Sequence, residues 1–104
     1  MHKYALVKDL FFKAKILETA KHLQTEILFV DSTKKALNAS LLIVDLEEFG
    51  LSEIKEFKEK NPNSKIIGYL SHVNISLKKD SEKAGCIVYS RSEFTKNLSS
   101  ILTQ

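Results

Sequence analysis

Apolar residues gather in five short runs: Tyr4-Ala5-Leu6-Val7, Ile27-Leu28-Phe29-Val30, Leu41-Leu42-Ile43-Val44, Lys65-Ile66-Ile67-Gly68-Tyr69-Leu70 and Cys86-Ile87-Val88-Tyr89. Their β-branched and aromatic content predicts strands. Three of them are nearly continuous in apolar character, which suits strands covered on both faces, as in a parallel sheet between helical layers. The stretches between follow a helical period. Residues 10–24 place Phe12, Ile16, Ala20 and Leu23 on one stripe, at spacings of four, four and three. Ser32 to Leu37 predicts a short second helix, with Asp31 or Ser32 as its cap. Residues 51–60 bring Leu51, Ile54 and Phe57 together, and Asn61-Pro62-Asn63 stops them. Residues 75–84 predict a weaker helix, with Asn74 as a cap and Gly85 as its stop. A fifth helix is expected to start after Ser92 and to repeat Phe94, Leu98 and Ile101 on one face.

Strand and helix alternating five times predict an open parallel α/β sheet, and right-handed crossovers place helices on both faces. In such sheets ligand chemistry sits at the carboxyl ends of the strands. The positions to inspect are Lys8-Asp9, Asp31, Asp45, Ser71-His72 and Arg91-Ser92.

Length and composition narrow this picture without redirecting it. At 104 residues one domain, spanning 1–104, is expected. Hydrophobic residues at 43% and charged residues at 28% are globular proportions. No apolar run approaches the roughly 18–20 residues of a membrane span. Only Tyr4 to Val7 precede Lys8, too little for a signal-peptide core, so the expected location is cytoplasmic. The net charge of +3 is spread along the chain and alternates with acids, as in Lys55-Glu56-Phe57-Lys58-Glu59-Lys60, which reads as a solvated helix face. One arginine, Arg91, among 16 basic residues argues against a nucleic-acid surface. The single cysteine, Cys86, excludes an internal disulfide and opens a buried strand as a packed thiol. Gly50, Gly68 and Gly85 are isolated, so no phosphate-cradling loop is present.

In the strand order 2-1-3-4-5, strands one and three are neighbours. Asp9 and Asp45 then meet at the sheet edge, where two carboxylates make a hard oxygen site suited to Mg²⁺. Ser71 and Arg91 would complete a ring round a phosphoryl group. The plainer reading is that an Asp after a strand caps the helix that follows. His72 lies near this point, but no second ligand sits at metal-binding spacing from it. Phe11 and Phe12, being adjacent, cannot share one core stripe. One is expected over the sheet and the other at the surface, available to a partner.

The segment Leu41-Leu42-Ile43-Val44-Asp45-Leu46-Glu47-Glu48-Phe49-Gly50 resembles the third-strand segment of response-regulator receiver domains, and Ala84-Gly85-Cys86-Ile87-Val88-Tyr89 resembles their approach to the fifth strand. The resemblance covers nearly the whole chain in the right order of elements. It implies a flavodoxin-like three-layer α/β/α fold with five parallel strands in the order 2-1-3-4-5. It also implies Asp45 as phosphoacceptor, Mg²⁺ at Asp9 and Asp45, phosphate contacts from Ser71 and Arg91, and Tyr89 as the aromatic switch. There are departures. The acidic pair after the first strand is Lys8-Asp9, so a cation replaces one acid; Lys8 would repel metal or neutralise Asp45 in its place. The hydroxyl after strand four falls on Leu70 without a gap and on Ser71 with a one-residue shift. The Lys-Pro after strand five is absent; Ser92 stands there, with Arg91 one residue earlier, and Arg is no equivalent of Lys at a tight phosphate contact. The chain is short round the second helix. Asp9-Leu10-Phe11-Phe12, Gly68-Tyr69-Leu70-Ser71-His72-Val73 and Arg91-Ser92-Glu93-Phe94 are similar to segments of small stand-alone receiver-like proteins.

The resemblance therefore implies a pseudo-receiver: a stand-alone signalling or protein-interaction module, not an enzyme, acting without phosphorylation and requiring no cofactor. It would hold a protein partner or a second copy of itself through the fourth helix, fifth strand and fifth helix. The alternatives are a working phospho-receiver of a two-component system, with Asp45 phosphorylated and Mg²⁺ bound, and a small enzyme or ligand-binding protein using the strand-end cleft. Since no effector domain is visible, output through another chain is expected.

Overall fold

Burial on both faces decides the architecture. The third apolar run extends into β3 (Ala39–Asp45), in which every residue but Ser40 is buried. A strand so covered must lie at the centre of a sheet. In the computed structural model, which describes residues 2–103, it is flanked by β1 (His2–Leu6) and β4 (Lys65–Leu70). β2 (Leu28–Phe29) and β5 (Cys86–Ser90) form the edges. All pairings are parallel, as the alternation predicts, and the order is β2-β1-β3-β4-β5, as the resemblance implies. The helices are α1 (Leu10–His22), α2 (Leu51–Lys60), α3 (Ile75–Lys83) and α4 (Arg91–Leu102). The fold is a flavodoxin-like, three-layer α/β/α receiver fold.

The period-two alternation of the strands splits the core into two layers. Ala5, Leu41, Ile43, Ile67 and Tyr69 face α1 and α4, where they meet Ile16, Ala20, Phe94, Leu98 and Ile101. Tyr4, Leu6, Leu42, Val44, Ile66 and Leu70 face the other way, toward Ile54 and Phe57 of α2 and Leu77 of α3. No helix among the described residues is long and apolar enough to cross a membrane.

Three expectations need correction. The second helix is a single 3₁₀ turn, Thr33–Lys35, so the described residues form four α-helices and not five. Ser32, rather than Asp31, caps it by accepting from the Lys34 N–H. The segment is too short to build an α-helical nucleus, whose first turn fixes several dihedrals for one hydrogen bond. The last helix starts at Arg91, not after Ser92. Ser90 is its N-cap, and a capping box with Glu93 satisfies both end groups: Ser90 Oγ accepts from Glu93 N–H while the Glu93 carboxylate accepts from Ser90 N–H. Asn74 stands at the N-cap position of α3 but makes no capping bond, because its side chain is engaged elsewhere. Gly85 is the stop expected for α3, with φ at +102°, a conformation that side-chain-bearing residues rarely adopt.

Candidate functional site

The carboxyl ends of β1, β3, β4 and β5 bring together Asp9, Asp45, Glu47, Ser71 and Arg91. Asp45 closes β3 with 2% of its surface exposed. Its Oδ1 accepts from the Glu47 N–H at 3.1 Å. Burial pushes its carboxyl pKa above the ordinary Asp value, against the opposing influence of that N–H and of the Arg91 charge. Asp9 caps α1 by accepting from Phe12 N–H at 3.1 Å, which is the plainer role. Lys8 does not neutralise Asp45: its ammonium lies over the Phe49 ring, 5.3 Å from the centroid. Asp31, beyond the edge strand, is exposed and pairs with Lys35 at 2.8 Å.

Beneath the carboxylates sits Tyr69, the register partner of Asp45 across β3 and β4. It is fully buried, stacked on Phe12 (4.6 Å between centroids) and tilted against Phe94 (4.7 Å), and those two rings also meet each other at 6.2 Å. Its hydroxyl has no hydrogen-bond partner of good geometry. Burial raises its pKa far above normal, and the nearby charges of Asp45 and Asp9 add to the rise. The hydroxyl is therefore a neutral group facing the acidic end of the sheet. Of the adjacent phenylalanines, Phe12 takes the core position and Phe11 stays 67% exposed, with Lys15 over its ring.

Ionised Asp45 carries a stability cost with a definite pH dependence. A folded-state pKa above the unfolded one means that the native chain binds the proton more tightly. Stability then falls as pH rises from the ordinary Asp value through the raised one. Asp45→Asn keeps an acceptor for the Glu47 N–H and removes the buried charge. It should raise the urea midpoint at about pH 8 and lose that advantage on approaching about pH 4. A gain that is unchanged between these pH values would contradict burial as the cause.

Glu47 is the residue that the sequence reading leaves without a role. Its Oε1 accepts from Ser71 N–H at 2.9 Å and from Arg91 Nη2 at 3.0 Å, and its Oε2 accepts from Asn74 Nδ2 at 3.2 Å. One carboxylate thus joins the loops after β3 and β4 to the first residue of α4. Both expected phosphate contacts, Ser71 and Arg91, lie on it, Ser71 through its backbone N–H. The available signal was the position itself, an acid two residues beyond Asp45 on a turn that starts at the sheet edge.

The remaining candidates lie apart. Tyr89 is half-buried against the α1–α4 layer, and His72 is exposed. Cys86 is buried, which pushes its thiol up to about 11 despite the Lys58 charge. In the native state it should react with a disulfide reagent far more slowly than in urea; equal rates would show an open thiol. Among the described residues no three His, Cys, Asp or Glu side chains are placed to hold a metal ion. Three surface hollows of about 430, 490 and 280 Å³ lie between α1 and α4, beside the 3₁₀ turn, and near Lys8 and Phe49. None of these is lined by Asp45, Ser71 or Arg91.

No family model and no curated protein matches this sequence. Solved structures do resemble it in fold. The isolated receiver (REC) domain of RcsB from Salmonella enterica serovar Typhimurium, in the presence of phosphomimetic BeF3-, superposes with a TM-score of 0.76 at 16% identity. That match covers 99% of this chain and 86% of the other. The Salmonella typhimurium RcsB response regulator gives 0.73 at 16% identity, with 99% of this chain covering 58% of that one. The fold is that of a response-regulator receiver domain.

Proposed function

We propose that this chain is a receiver-like signalling or protein-interaction module that acts without phosphorylation and catalyses no reaction. The observation that carries the reading is the short set of acids round Asp45. Mg²⁺ favours several hard oxygen ligands in near-octahedral geometry. Of the acids here, Asp9 already caps α1, Asp45 is buried and held by the Glu47 N–H, and the Glu47 carboxylate is taken by Ser71, Asn74 and Arg91. With Lys8 in place of a further acid, this donor set does not fit a Mg²⁺ site.

Output then depends on surface. Val73, Ile75 and Ile87 are exposed, in the loop before α3, in α3 and in the edge strand β5. These apolar side chains support a protein partner, or a second copy, docking over α3, β5 and α4, the surface that the sequence reading assigns to its fourth helix, fifth strand and fifth helix. A cytoplasmic setting, one domain over the whole chain and no nucleic-acid role belong to the same proposal.

The competing reading is a working receiver phosphorylated on Asp45, favoured by the position of Arg91, whose charge acts on that carboxyl. An amide NMR titration with Mg²⁺, then Mg²⁺ plus beryllofluoride, separates the two. Silence at millimolar Mg²⁺ and with beryllofluoride is the expected result. Shifts centred on Asp9, Asp45, Ser71 and Arg91 and reaching Tyr89 would establish the phospho-receiver instead.

A further inference from the structure

We propose that Glu47 is an internal ligand: its carboxylate fills a seat for a phosphate-class oxyanion and ties the loops after β3 and β4 to the start of α4 with no external anion. This rests on the reading above, since a module that works without phosphorylation needs another means of fixing these loops.

Three observations converge. The donors to Glu47 come from two segments distant in sequence: Ser71 N–H and the Asn74 side-chain amide in the loop between β4 and α3, and Arg91 at the start of α4. They consist of one guanidinium and two neutral N–H groups, and Oε1 takes two of them. A carboxylate presents its two oxygens to such donors much as a phosphoryl group presents two of its three. Moreover, Asn74 gives its amide to Glu47 while standing where it would otherwise cap α3. Asn is among the best capping residues, so its side chain is drawn away from the local bond toward the shared anion. Finally, the Glu47 side chain is only 25% exposed while Arg91 is 48% exposed, so the acid is the inner member of the pair. Glu47, and not Asp45, is the carboxylate in direct contact with the Arg91 guanidinium, at 3.0 Å.

A tethered ligand competes at an effective concentration in the millimolar range or above. Free anion must displace it before reaching the same donors. The test is an NMR titration with inorganic phosphate at constant ionic strength in EDTA, observing the Ser71 amide, the Asn74 side-chain amide and Arg91 Nε–H. The wild-type chain should be silent or weak. Glu47→Ala should bind phosphate at least about tenfold more tightly, with shifts confined to those groups. Adding Arg91→Ala should abolish the response. Glu47→Gln, which keeps the size and loses the charge, checks that the effect follows the anion. A folded Glu47→Ala chain that ignores phosphate would overturn the proposal, as would a wild-type chain that binds it equally well. The titration uses neither Mg²⁺ nor acyl-phosphate chemistry. Phosphorylation of Asp45 would therefore appear in the beryllofluoride experiment and defeat the functional reading separately.

Discussion

Phe94→Ala should cost about 3–5 kcal/mol of folding stability, the largest loss expected from any single substitution considered for this chain. Phe94 is fully buried, and its ring meets both Tyr69 and Phe12, so one side chain joins α4 to β4 and α1. Truncation removes the apolar burial and leaves a void that the flat faces of the remaining rings cannot fill by rotation. A domain of this size commonly has only about 5–15 kcal/mol to lose. The variant should therefore unfold at much lower urea or temperature, with an unchanged dependence on denaturant if the native state stays compact. A loss below about 1 kcal/mol would mean that α4 repacks over the gap, and the three-ring cluster would then have no structural weight. Phe94→Leu, which refills part of the space, should recover a substantial share.

Gly68→Ala should destabilise by about 1–3 kcal/mol through overpacking. A methyl group there would lie 2.5 Å from Leu46 Cδ1 and 2.6 Å from its Cγ, so the whole isobutyl group would have to move. Leu46 follows Asp45 directly, is buried, and donates its backbone N–H to Tyr69 O at 3.0 Å. Displacing it disturbs the turn that carries Glu47. A double-mutant cycle isolates the contact. Leu46→Ala alone should cost about 2–5 kcal/mol, and in its background the added methyl should cost little or nothing. Additive losses from the two changes would show that the clash with Leu46 is not the source.

Much of this was legible in the chain because burial writes itself into periodicity. β3 and β4 are so apolar that only central strands fit them, and Phe12, Ile16 and Ala20 fixed the inner face of α1. Asp9 and Asp45 could be placed by their positions after strands. Two misreadings at the site, those of Asn74 and Glu47, share a cause: they concern polar side chains whose partners are distant in sequence. Asn74 looks like a local cap because local capping is what Asn ordinarily does, yet its partner is 27 residues away. Arg91 and Glu47 are 44 residues apart. No spacing rule reaches across such a gap, so Ser71, Arg91 and Asp45 were found while the carboxylate that two of them hold was passed over. The second helix failed for another reason. Residues 32–37 carry a cap and an apolar residue but too few turns, and tertiary packing of Thr33 and Ala36 needed only one.

The Phe12–Tyr69–Phe94 cluster also has a spectroscopic consequence. The chain contains no tryptophan and three tyrosines, so its near-ultraviolet spectrum belongs to tyrosine and phenylalanine. Tyr69, fully buried against two rings and under the charges of Asp45 and Asp9, is a chromophore in asymmetric surroundings. Circular dichroism in that region, which vanishes when fixed packing is lost, gives the protein a built-in optical probe. Its signal comes from directly beneath the carboxylates and needs no added label.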